Sequence, residues 1–154
     1  NNSGTVNFKD EQTFRYISNF YNTKNLQVVS TNTTSDWTYT TASWREWNAG
    51  TGHIKGYFVS SVNVYSTLTY SQSVYMQTNG AHLYFGIGVN TTSSATVDAH
   101  LFSGSGALTI MASAQWTYST PAGRNYITAV EQADGTNAIH PKGNGQYVLF
   151  AIKG

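Results

Sequence analysis

The chain has 154 residues and a mass of 16.8 kDa, the size of one domain and enough to bury a core without metals or crosslinks. Only 10% of the residues are charged, and eight Lys and Arg scattered against seven Asp and Glu leave a net charge of +1, so counterion release has little to work with and nucleic acid is excluded as a partner. The absence of cysteine removes disulfides, cysteine zinc sites and thiol nucleophiles, and no apolar run approaches the roughly 20 residues of a membrane helix.

From Val6 to Ser30 the signal is mixed: VNF and LQVVS read as strand, while Phe14, Ile17 and Tyr21 suit a short helix after Asp10. Thr31 to Asp36 is a polar loop. Trp37 to Trp47, WTYTTASWREW, is rich in aromatics and Thr and reads as one bent strand or two, ending at the turn signal Asn48-Ala-Gly-Thr-Gly. His53 to Val64 and Ser66 to Gln77 are the next strand candidates, and the Asn79-Gly80 pair before His82 to Val89 is a hairpin signal.

The remaining strands are predicted at Thr96 to Phe102, Ala107 to Thr117, Asn125 to Gln132 and Gln146 to Lys153, separated by Gly104-Ser-Gly106, Pro121-Ala-Gly123 and Asp134-Gly135. The run from Ala107 to Trp116 is the clearest, because Leu108, Ile110, Ala112, Ala114 and Trp116 alternate with Thr109, Met111, Ser113 and Gln115, a period of two. Gly86 and Gly88 inside a strand read as close backbone packing. The expected architecture is all-β with little helix: one domain, 1-154, an antiparallel β-sandwich of jelly-roll type with about eight to ten strands. A closed barrel is the competing arrangement. Tyr147 to Ile152, YVLFAI, is apolar at every position and needs cover on both faces, one of them from a neighbouring subunit.

ALTIMASAQWTYSTPAGRNYITAVEQADGTNA together with GNGQYVLFAIKG resembles the closing strands of trimeric jelly-roll heads: the receptor-binding tips of phage and viral fibres and the wider TNF and C1q-like group. The likeness spans roughly Thr96 to Gly154 and lies in a late strand, a Pro-Ala-Gly loop, another strand, a Gly-rich turn and a closing aromatic-aliphatic strand. The resemblance implies a threefold trimer that recognises a surface glycan or protein without doing chemistry, and a head excised from a longer fibre protein.

Carbohydrate recognition uses flat aromatic faces with amides, carboxylates or guanidiniums nearby. Trp44, Arg45, Trp47, Asn48 and His53 bring such groups together, although the plainer reading makes the tryptophans core or interface residues. A second cluster, Tyr118, Arg124 and Asn125, lies around the Pro121-Ala-Gly123 turn, where the plainer reading is a simple connection. Asp98 and His100 share one strand face, with His82 and His140 as further metal-ligand types, but no HExxH, EF-hand or cysteine pattern accompanies them and no metal is expected.

No Gly-x-Ser-x-Gly elbow or nucleotide loop is present, and none of the seven carboxylates sits in a glycosidase motif. Asn32-Thr-Thr and Asn90-Thr-Thr match the N-glycosylation pattern, as chance allows in so Asn- and Thr-rich a chain.

These readings converge on a non-enzymatic receptor-binding domain of a phage or viral fibre, extracellular or on the virion surface. The expected partners are a cell-surface carbohydrate or protein receptor and two further copies of the chain, with no cofactor, no nucleic acid and no membrane insertion. The absence of cysteine fits a virion or exported bacterial protein, and the polar opening from Asn1 reads as a mature protein or excised domain. The alternatives are a monomeric carbohydrate-binding module or lectin of a secreted bacterial protein, a small β-sandwich polysaccharide hydrolase, and a pore-forming toxin.

Overall fold

The computed structural model describes residues 15–18, 26–32, 36–50, 55–60, 63–104, 107–142 and 146–153. Among the described residues eleven strands occur in chain order: β1 (Arg15–Ser18), β2 (Leu26–Asn32), β3 (Arg45–Glu46), β4 (Gly56–Ser60), β5 (Val64–Met76), β6 (His82–Val89), β7 (Val97–Phe102), β8 (Leu108–Thr120), β9 (Gly123–Ala133), β10 (Ile139–Pro141) and β11 (Gln146–Lys153).

They form two sheets that share a core. The first runs β1-β4-β9-β6-β7, with β3 also on β9; the second runs β10-β5-β11-β2, with β8 along β5. Among the described pairs only β1 and β4 are parallel. In the second sheet β8 pairs the whole of β5, while β11 and β10 take β5 residues 65–71 and 74–76. The architecture is thus an all-β sandwich of largely antiparallel sheets.

Side-chain alternation explains the layering, since successive residues of a strand point to opposite faces. In β8 Ile110, Ala112, Ala114 and Trp116 are buried or half-buried while Thr109, Met111, Ser113 and Gln115 are exposed, so the period read from the sequence holds from Thr109 on; Leu108, at the strand's start, is exposed. Leu68, Tyr70, Val74 and Met76 from β5 meet Leu83, Phe85 and Ile87 from β6 and Ile127, Ala129 and Ala133 from β9 in one core. A column of aromatics crosses it: Trp37 on Trp47 at 5.4 Å, Trp47 on Tyr70 at 5.1 Å, Tyr70 on Phe85 at 4.8 Å and Phe85 on Trp116 at 6.4 Å. Edge-on or tilted contacts of this kind are the favourable ones for rings with a negative face and positive rim.

Gly86 is required by contact. A Cβ there would stand 2.2 Å from the Val97 carbonyl oxygen of the neighbouring strand.

Several expectations are corrected. Ile17 lies in strand β1 rather than a helix, because parallel pairing with β4 overrides a short helical pattern; Phe14, Tyr21 and the VNF strand lie outside the described residues. Trp37 to Trp47 is not one or two full strands. It holds a single bridge, Tyr39 to Ile139, the two-residue β3, and then a tight turn at Trp47–Gly50. The Tyr39 hydroxyl, donating to the Ser43 carbonyl at 2.6 Å, folds this segment back on itself.

Asn79-Gly80 does not close a hairpin, since β5 and β6 belong to different sheets. Gly80 takes φ +83°, the left-handed region glycine permits, and its N–H donates to the Ser103 carbonyl at 2.8 Å as the chain crosses between layers. The short strand β10 escapes sequence reading because it is three residues long and ends in proline.

Candidate functional site

Strand β9 carries Glu131, which Arg45 and Asn48 of the first predicted cluster engage, and Arg124 and Asn125 of the second. Its inward set includes Asn125, Ile127, Ala129, Glu131 and Ala133; its outward set begins with Arg124 and Tyr126.

At the inner end stands Glu131, fully buried, opposite Arg45 in the β3–β9 ladder. Arg45 Nε and one terminal nitrogen donate to Glu131 Oε1 at 2.8 and 2.7 Å, and the Asn48 backbone N–H donates to it at 3.1 Å. The Trp37 indole N–H reaches the two carboxylate oxygens at 3.2 and 3.1 Å. Burial pushes the carboxyl above its ordinary range, and the Arg45 charge and these donors only partly pull it back. Burial, and then the charge of Glu131, also holds the Tyr70 phenol well above its usual value.

This cluster corrects the first predicted site. Trp47 is fully buried, wedged between Trp37 and Tyr70, and Arg45 is spent on Glu131 and on the Tyr39 ring, 3.6 Å from its guanidinium carbon. Asn48 is half-buried at φ +51° in a turn held by the same carboxylate. Trp44 is half-buried in the preceding loop, and His53 lies outside the described residues. Arg45, Trp47 and Asn48 form a structural clamp around Glu131 and Trp37. Its organiser, an acid in the otherwise apolar ITAV-E run of β9, is a visible anomaly that the search for exposed aromatics passes over.

On the outward face, Tyr57 of β4 is directly opposite Tyr126 of β9, with ring centroids 5.9 Å apart at 45°. The Arg124 guanidinium lies 5.9 Å from the Tyr57 ring and Lys55 Nζ 5.9 Å from the Tyr126 ring. With Asn90 and Asn125 these four residues line an open pocket of about 440 Å³.

The two asparagines build its frame. Asn125 is 2% exposed; its amide donates to the Pro121 and Gly123 carbonyls at 2.8 and 3.1 Å and accepts from Asn90 Nδ2 at 2.8 Å. Asn90, at φ +59° just after β6, also accepts the Tyr126 backbone N–H at 2.9 Å and donates its own N–H to the Tyr126 carbonyl at 2.9 Å. Its side-chain nitrogen, the atom a glycosylation pattern would use, is thereby committed to Asn125.

Lys55 is paired with Glu46 at 3.1 Å, and Glu46 is further anchored by the Thr128 hydroxyl at 3.4 Å. Among the described residues no hydrogen bond or carboxylate engages the Arg124 guanidinium, and none engages the Tyr57 or Tyr126 hydroxyl. The pocket therefore offers two phenol rings, two phenol hydroxyls and one guanidinium, on a sheet face whose backbone is fixed on both sides.

Of the second predicted cluster, Arg124 lines the pocket as an exposed side chain and Asn125 as buried framework. Tyr118 does not join them. Strand β8 continues to Thr120, so Tyr118 keeps the period of two and packs against the core. Lys55, Tyr57, Asn90 and Tyr126 were missed because the β4–β9 register that gathers them spans about seventy positions.

The histidines divide between the sheets. His82 Nδ1 and His100 Nε2 are 2.7 Å apart with stacked rings, and His100 is pushed below its ordinary range, first by burial and then by the His82 charge. His140 instead bonds the Thr38 hydroxyl at 3.0 Å. Among the described residues no group of three or more His, Cys, Asp or Glu could hold a metal ion, and no helix is long and apolar enough to cross a membrane.

No known family model matches the chain, and no curated protein matches it in sequence.

Proposed function

We propose that this chain is a non-enzymatic receptor-binding domain, the head of a phage or viral fibre, which recognises a cell-surface glycan through the Tyr57–Tyr126 pocket. One observation carries the reading. Two tyrosine rings are held side by side on an outer sheet face, with hydroxyls and a guanidinium that no described residue engages by hydrogen bond or carboxylate, the combination a sugar ring needs for stacking and for hydroxyl recognition.

The strand order supports the fibre-head part. Counting only the eight longer strands from first to last, the sheets run 1-8-3-6 and 2-7-4-5, which we read as the double Greek-key order of a jelly roll. None of the described lining side chains is acidic, which favours binding over glycoside hydrolysis, a reaction that uses a carboxylate pair.

Homotrimerisation is supported by the outer face of β5 and β8. Along their ladder the outward positions, from Tyr65 opposite Ser119 to Tyr75 opposite Thr109, include no charged residue, and Tyr65 and Met111 are 67% and 55% exposed. The same pocket would also serve the second reading, a monomeric carbohydrate-binding module.

The test is a glycan array and whole-cell binding with wild type, Tyr57→Ala and Tyr126→Ala, beside solution mass by light scattering. The expected result is a trimer whose binding both substitutions reduce at least tenfold. Unchanged binding in both variants removes the pocket from the function; a monomer that still binds sugar selects the module reading.

A further inference from the structure

The charge distribution around the pocket is uneven. Lys55 is paired with Glu46 at 3.1 Å, whereas among the described residues Arg124 has only the Tyr57 ring as a neighbour of complementary charge, at 5.9 Å. The other described acids are engaged or placed elsewhere: Glu131 is buried on Arg45, Asp36 is bridged to Lys142 at 2.7 Å, Asp134 is held in the turn after β9, and Asp98 lies on β7 opposite Gly86 of β6. A guanidinium with no acid partner among the described residues, beside two tilted phenol rings, is a site prepared for an anion that arrives with the ligand.

Arg124 is also held in place by construction. It follows Gly123, whose φ of +109° sets the entry into β9, and precedes Asn125, whose amide ties the Pro121 and Gly123 carbonyls. The neighbouring Ala122 N–H donates to Asn63 at 2.9 Å. The backbone under the guanidinium is therefore fixed, and the strand end carrying it needs no rearrangement on binding. A planar fork of donors matches a carboxylate or sulfate oxygen pair, and such charge-assisted bonds are about twice as strong as neutral ones.

We propose that the pocket selects acidic saccharides: a sugar ring stacks on Tyr57 and Tyr126 while its carboxylate or sulfate is bound by Arg124. This rests on the glycan-binding reading above and adds the substrate class to it. Lys55, held by Glu46, supplies a second positive charge at the far side of the ring pair without being the primary anion ligand.

The experiment uses matched probes that differ only in charge: sialyllactose against lactose, oligogalacturonate against its methyl ester, and sulfated against unsulfated lactose. Affinity is measured by calorimetry for wild type, Arg124→Gln and Tyr57→Ala, with thermal melts to confirm that each variant is folded. The expected result is at least a tenfold preference of wild type for one or more acidic members, weakened by added salt. Arg124→Gln should abolish that preference with a loss of about tenfold to a hundredfold on the acidic probe and little change on the neutral one. Tyr57→Ala should weaken both.

Carboxylate and sulfate sources are separated by which pair shows the preference. Equal affinity for both members of every pair would overturn the acidic selectivity while leaving glycan binding standing. Binding to none of the probes would overturn both, and a preference that survives Arg124→Gln would overturn the assignment to this residue.

Discussion

Replacing Arg45 with Met tests whether the clamp on Glu131 is held by compensated charge. The substitution keeps the apolar stem that lies against Tyr39 but removes the guanidinium, leaving the buried carboxylate with only the Trp37 and Asn48 N–H donors. An uncompensated buried charge costs several kcal/mol, and here the cost has a ceiling, because the carboxyl can take up a proton instead. Holding a carboxyl that ordinarily titrates near 4.5 protonated at pH 7 costs about 3 kcal/mol at 1.36 kcal/mol per pH unit.

The expected loss at pH 7 is therefore about 2–3 kcal/mol, or a melting point lower by roughly 5–10 °C in a chain of this size. The sign with pH follows from the raised carboxyl. A group whose folded pKa lies above its unfolded value contributes stability that is present at low pH and lost as pH rises through the folded value. The gap between wild type and Arg45→Met should thus narrow between pH 7 and pH 5, because the carboxyl stripped of its guanidinium is pushed up further than in wild type. Urea unfolding followed by tryptophan fluorescence reads it directly, since Trp37 and Trp47 flank the cluster. A gap below about 1 kcal/mol, or one that stays constant between the two pH values, would refute the reasoning.

Asp134 should act in the opposite direction. Partial burial raises its carboxyl, but donors from Asn137, Thr136 and His82 outweigh that and hold it at about 2, so its contribution is present above the ordinary value near 3.8 and disappears as pH falls toward 2. Asp134→Ala should destabilise the protein at pH 6 and leave it close to wild type at pH 2.5 in the same urea assay. Asn125→Ala removes three hydrogen bonds from a buried amide and should cost about 2 kcal/mol, visible as a lower melting point together with weakened glycan binding. Gly86→Ala forces a methyl against the Val97 carbonyl and should leave little soluble protein, whereas Arg124→Gln should melt with wild type; equal solubility of the two would contradict the packing described at Gly86.

Strands with strong alternation or continuous apolar runs were legible without any partner: β6 and β11 appear with the bounds read from His82 to Val89 and from Gln146 to Lys153. What escaped depends on distant partners. Asn79-Gly80 carries the local chemistry of a hairpin turn, but turn chemistry does not state whether the flanking strands pair, and here each pairs elsewhere. The Trp37 to Trp47 segment has the β propensity of its aromatics and threonines, yet its conformation answers to Glu131, more than eighty positions away.

The site was half legible for the same reason. Arg124 and Asn125 sit beside a recognisable turn, whereas Tyr57 and Lys55 join them only through the β4–β9 register. Tryptophan misled in the other direction: the largest aromatic ring was the obvious sugar platform, and the fold uses Trp47 to fill its centre, leaving tyrosine for the surface.

The alternation of β9 has a consequence for how this domain could change. Glu131, Ala129 and Ile127 hold the sandwich together from one side of the strand, while Arg124 and Tyr126 meet solvent from the other, one residue out of phase. Substitutions at Arg124 and Tyr126 would change the pocket without touching the core contacts of the strand, so on the proposed reading a new specificity is reachable by single changes that each leave a stable protein. A library randomised at Tyr57, Arg124 and Tyr126 should remain largely folded, and the same scaffold becomes a starting point for selecting binders to other sugars.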